Sequence, residues 1–89
     1  MHYIYALQCD NKNLYIGYSA DLKTRVKRHL SGKVKSTKSK MPLKLVYYEA
    51  YLSKSDAARR EKQLKEHKAK SDLKKQINNS LSEKIIKSA

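Results

Sequence analysis

The sequence predicts an α+β domain: a single three-stranded antiparallel sheet flanked by helices, in the order ββαβα(α). Three observations lead there. Residues 3–9 (YIYALQC) and 14–18 (LYIGY) are rich in aromatic and β-branched types, and Asp10-Asn11-Lys12-Asn13 between them is turn chemistry, so the pair reads as a hairpin. A third such run, 43–51 (LKLVYYEAY), follows Pro42, which is tolerated at the first position of a strand. The remaining apolar residues recur at helical rather than alternating spacing, and strands this close in sequence pair antiparallel.

Taken in order, residues 3–9 are apolar on both faces and predict a strand covered on both sides. Residues 20–31 predict a helix, with Leu22, Val26 and Leu30 every four residues and Gly32 as its C-terminal stop. Lys33 to Lys40 predicts a basic loop, with four lysines, three Ser/Thr hydroxyls and no acid. Ser53 to Asp56 resembles a capping box with Asp in the Glu place, and a helix is expected over about 55–67. Ser71 is a candidate cap for a further helix, on which Leu73, Ile77 and Leu81 share a face. The domain is expected to end near residue 77, and the Lys- and Ser-rich tail 78–89 to be helical or frayed.

Eighty-nine residues provide one modest core. Twenty-one Lys and Arg against eight Asp and Glu give a formal charge of +13, which points to a polyanionic partner. No segment joins a broad apolar face to its basic face, so a membrane surface fits poorly. Cys9 is alone and lies in an apolar run, which excludes a disulfide framework and a thiolate metal cluster. Without a long apolar stretch or a signal-like N-terminus, the expected location is the cytoplasm. Phe and Trp are absent, so seven tyrosines supply every aromatic ring, each with a hydroxyl to satisfy or to use.

Several residues break the apolar pattern. Arg25 and His29 border the stripe of the first helix on one flank, as i,i+4 neighbours able to act on one ligand. Their bland readings are an arginine stem lying along the core edge and a satisfied half-buried ring. Glu61 shares the apolar face of the second helix with Ala57 and Leu64, where a carboxylate is costly unless it is paired or binds a metal. Two readings stand: a salt bridge to an arginine such as Arg25, or a ligand for a divalent cation. Whether Tyr5 and Tyr15 share a face depends on the hairpin. A three-residue loop sets Tyr5 opposite Gly17 with Tyr15 on the same face, and a two-residue loop separates the rings. Gly17, in mid-strand, leaves room for a backbone or ligand to approach.

These residues resemble the GIY-YIG nuclease family, in particular its small stand-alone bacterial members. The first motif reads Tyr3-Ile4-Tyr5 and the second Tyr15-Ile16-Gly17; DLKTRVKRH matches the first helix, and LVYYEAY with SDAARREKQLK matches the third strand and acidic helix. The resemblance spans about residues 3–77. It implies a DNA endonuclease that hydrolyses phosphodiesters with one Mg²⁺ or Mn²⁺ and no small-molecule cofactor. Glu61 would be the metal ligand, Tyr5 and Tyr15 would position or deprotonate the attacking water, and Arg25 would hold the phosphate. His29 falls where the family places a residue that assists proton transfer. Gly17, Tyr18, Lys33, Lys35, Lys38, Lys40, Arg59 and Arg60 are the expected nucleic-acid contacts. Tyr3 replaces the motif's glycine. Tyr18 stands where the incision subunit of nucleotide-excision DNA repair has a lysine, and Ser36 where a tyrosine is expected. The alternative is a non-catalytic nucleic-acid-binding module on the same scaffold. A purely structural basic protein would leave Glu61 unexplained.

Overall fold

Strand β1 (His2–Gln8) turns into β2 (Leu14–Ser19) through a loop in which the Cys9 amide donates to the Asn13 carbonyl at 2.8 Å. The computed structural model describes residues 1–83. After β2 come α1 (Leu22–Leu30), the single turn α2 (Lys35–Lys38), β3 (Lys44–Tyr51), α3 (Lys54–Leu64), α4 (His67–Gln76) and α5 (Asn78–Ser82). As the sequence predicts, the three strands form one antiparallel sheet; its spatial order is β2-β1-β3.

The hairpin takes the longer of the two loops considered. Lys12 supplies the left-handed residue, φ 69°, that a three-residue connection needs. Tyr5 therefore pairs with Gly17 and Leu7 with Tyr15, which sets both tyrosine rings on one face. That face, with Leu7, Cys9, Leu43 and Leu45, packs under α1 through Leu22. The opposite face carries Ile4, Ala6, Leu14 and Ile16 and meets Ala57 and Leu64 of α3 and Leu73 of α4. β1 is thus covered on both sides, which explains its unbroken apolar run.

Four local expectations are corrected. In α1, Leu30 is exposed; the inward face is Leu22, Arg25, Val26 and His29, a regular i, i+3, i+4, i+7 stripe on which two members are polar. Lys33–Lys40 is not an open loop, because Val34 and Thr37 are buried and α2 turns between its lysines. Ser53 makes no side-chain capping bond, and Asp56 pairs instead with Arg59 at 3.3 Å. Ser71 lies within α4 rather than ahead of it, although Leu73 and Ile77 are buried as their spacing predicts. The first part of the expected tail, Asn78–Ser82, is helical; residues 84–89 lie outside the described residues.

Candidate active site

α1 is held in place over the sheet by Asp21, whose carboxylate accepts the Thr24 amide at 3.2 Å and caps the helix, and by Gly32, whose φ of 75° ends it. Arg25 and His29 then descend onto Tyr5. The Tyr5 hydroxyl lies 2.7 Å from His29 Nε2, and Arg25 Nε donates to the same oxygen at 3.4 Å. Tyr5 and His29 are 1% and 0% exposed. On its other side His29 Nδ1 lies 2.8 Å from Thr37 Oγ1, and the Tyr15 ring sits 5.3 Å from the imidazole, centroid to centroid.

Burial sets the protonation states. Desolvation, reinforced by the Arg25 charge, lowers the His29 pKa to about 4, so the ring is neutral at physiological pH. Burial also pushes the Tyr5 phenol up; Arg25 pulls the other way, and negative charge on Tyr15 or Glu61 adds to the rise. Arg25 is tied to the buried phenol of Tyr5. Its hydrogen bond to Tyr5 raises its pKa most, and charge on Tyr5 and Tyr15 adds to the rise.

Tyr15 differs from Tyr5 in reaching the surface. Its hydroxyl accepts from Ser36 Oγ at 3.4 Å, and Lys40 Nζ lies 5.9 Å above its ring. Beside it, along the edge strand β2, a cleft of about 250 Å³ is lined by Tyr15, Asn11, Asn13, Lys40, Lys65 and Lys70. Glu61 approaches this edge from α3. Its side chain is 27% exposed, at the border of the Ala57–Leu64 face rather than in the middle of it. It pairs with Lys65 at 3.3 Å and not with Arg25, which is engaged with Tyr5. Among the described residues no three His, Cys, Asp or Glu side chains converge as a metal-binding group. A lone accessible carboxylate does suit Mg²⁺ or Mn²⁺, which takes one or two carboxylates and completes its shell with water and phosphate oxygens.

The expected nucleic-acid contacts divide. Lys33, Lys35, Lys38 and Lys40 are exposed around α2, and Lys40 reaches over the Tyr15 ring. Arg59 is exposed with Asp56. Arg60 is committed to Glu49 at 2.9 and 3.0 Å and to Gln63 at 2.8 Å, so it is structural. Tyr18 packs against the α3 face of the sheet and its hydroxyl meets His2 Nδ1 at 2.7 Å, away from Tyr5 and Tyr15. Gly17 is buried, and what comes close above it is the Tyr5 ring, not a ligand. Thr37 escaped the sequence reading. Its one signal is the i,i+3 spacing with Val34, faint inside a run of lysines.

The sheet brings Tyr5 and Tyr15 together with Arg25 and His29 on one face, while α3, which carries Glu61, packs on the other. The profile of the GIY-YIG catalytic domain matches residues 1–78, and the chain belongs to this family of nuclease domains. Its relatives include a UPF0213 protein of Staphylococcus epidermidis, 40% identical over 74 residues that cover 82% of this chain and 90% of the relative. A UPF0213 protein of Staphylococcus aureus is 42% identical over 65 residues, covering 72% and 79%. The solution structure of the UPF0213 protein BH0048 from Bacillus halodurans is similar with a TM-score of 0.55 and 39% identity, over 81% of this chain and 80% of that one. Among the described residues no helix is long and apolar enough to cross a membrane.

Proposed function

We propose that this chain is a divalent-metal-dependent endonuclease that hydrolyses phosphodiester bonds in DNA. The observation that carries the reading is Arg25 bonded to Tyr5 on the sheet face that Tyr15 shares, with a lysine-lined cleft beside Tyr15 and Glu61 paired to one of its lysines, Lys65. Lys40, Lys65 and Lys70 draw the phosphate backbone into the cleft, and Arg25 grips the scissile phosphate. Glu61 would hold one Mg²⁺ or Mn²⁺, which when bound would supply neutralisation of charge on the phosphoryl oxygens. Tyr15, whose hydroxyl is at the surface, meets the attacking water. The water oxygen bonds to phosphorus and the P–O bond to the leaving sugar oxygen breaks. Tyr15 takes the water's proton as its own passes to solvent, and the leaving oxygen gains a proton from solvent. Tyr5, closed off from solvent, supports Arg25 from behind.

The test is incubation with labelled single-stranded, duplex and branched DNA, with and without Mg²⁺ or Mn²⁺. The wild type is expected to cut at least one substrate only with metal, and Glu61→Gln to lose about 10²-fold or more in rate. Cleavage unchanged in Glu61→Gln would overturn the metal-ligand assignment. Equal, salt-dependent binding by both proteins with no cutting would establish the non-catalytic binding module instead.

A further inference from the structure

We infer that Thr37 is a positioning residue: it fixes the His29 proton on Nδ1, so that Tyr5 donates to His29 and presents its oxygen to Arg25. The inference rests on the reading of Arg25 as the phosphate-binding group, and it follows from counting donors and acceptors. The Tyr5 hydroxyl has one proton and is shut off from solvent. Arg25 offers it donors only. Among the described residues, His29 Nε2 at 2.7 Å is the acceptor within reach. A buried hydroxyl without an acceptor is strongly disfavoured, so Nε2 carries the lone pair.

The neutral ring then bears its proton on Nδ1, where Thr37 Oγ1 accepts it at 2.8 Å. Thr37 can accept because its own proton has an outlet, the Val34 carbonyl at 3.4 Å in the same turn. The chain Arg25→Tyr5→His29→Thr37→Val34 runs donor to acceptor without a break, and Thr37 is as fully buried as the ring it serves. With the proton on Nε2, two donors would crowd the Tyr5 oxygen and the phenol proton would face Arg25. That arrangement is disfavoured by roughly ten- to a hundredfold in population, the equivalent of one buried unmet donor. His29 is accordingly a neutral relay that orients Tyr5. Thr37 occupies the place an acid takes in a charged triad, but without the charge that would make the histidine a strong base.

The experiment uses the full ¹⁵N-labelled chain at pH 7. Long-range ¹H–¹⁵N spectra report which His29 nitrogen bears the proton, and solvent exchange reports the Arg25 Nε–H. The expected result is the Nδ1–H tautomer in wild type and in Thr37→Ser. In Thr37→Val the Nδ1–H loses its acceptor, so the population of that tautomer should fall and Arg25 Nε–H should exchange faster. An Nε2–H tautomer in wild type would overturn the proposal, as would Thr37→Val with the Arg25 signal unchanged. Should Thr37→Val not fold, Tyr5→Phe replaces it: Arg25 Nε–H exchange must accelerate, and an unchanged rate refutes the chain. None of these readouts needs turnover, so a chain that cuts nothing sinks the nuclease reading and leaves this one standing. In a cleaving chain, kcat/KM of Thr37→Val/Arg25→Lys should equal that of Arg25→Lys alone; additive losses would mark Thr37 as merely structural.

Discussion

His29 is a titratable group kept neutral by the fold, and that links stability to pH. Its folded pKa is about 4, below the ordinary histidine value near 6.5. Between those values the unfolded chain binds a proton that the folded chain refuses. Stability is therefore expected to be flat above about pH 6.5 and to fall as pH drops toward about 4. Two carboxylates act lower down. Glu49 is partly buried, which works upward, but hydrogen bonds from Arg60, Tyr47 and Tyr51 outweigh this and hold it below its ordinary value; Asp21 is lowered by its Thr24 bonds. The interval between about pH 4.5 and 6.5 thus belongs to His29, and urea unfolding at three or four pH values across it measures the effect. A midpoint that does not move in this interval would contradict burial of the neutral ring.

The hairpin decides the site at the scale of elements. Gly17 lies against the terminal carbon and hydroxyl of Tyr5, and an added Cβ would overlap both. Tyr5 cannot swing aside, being buried and bonded to His29 and Arg25. Gly17→Ala is expected to destabilise by about 1–3 kcal/mol, as overpacking in a core does, and to displace the Tyr5 hydroxyl. Urea midpoints together with the His29 ring signals would show both. This register was only half legible in the sequence. Turn chemistry announced the hairpin, but the left-handed position fell to Lys12 rather than to Asn11 or Asn13, so loop length could not be read from residue preference. The α1 face was misplaced for a related reason. Hydrophobic spacing chose Leu30, whereas the helix turns His29 inward because a buried partner awaits each ring nitrogen. Such partners become visible only once the elements are assembled.

For the whole molecule, charge is expected to govern affinity. With a formal +13, much of it on exposed lysines, binding to DNA should weaken steeply with salt. If Lys35, Lys38 and Lys40 contact phosphates, each Lys→Ala should reduce the log–log salt slope by about 0.9 on duplex and about 0.7 on single strands. Arg60→Ala should leave the slope unchanged and lower stability instead, because its guanidinium belongs to Glu49. Fluorescence anisotropy titrations at several salt concentrations separate these outcomes. The charge excess was plain in the sequence. The division of its cations between binding and architecture was not, since it depends on which face of the sheet each helix covers.

The Glu61–Lys65 pair carries a consequence for the order in which partners arrive. Lys65 acts as a resident counterion, occupying the carboxylate where a metal would bind, yet it also lines the cleft that an incoming backbone would enter. An exposed pair of this kind is weak, so an approaching phosphate can draw the ammonium to itself and release the carboxylate. The free protein should then bind Mn²⁺ feebly, and more tightly once an uncleavable DNA analogue is present. Lys65→Ala should raise affinity for the ion in the absence of DNA by about two- to threefold, read by calorimetry, and should shrink the gain that DNA brings. The chain would thereby withhold its metal until there is a backbone to cut.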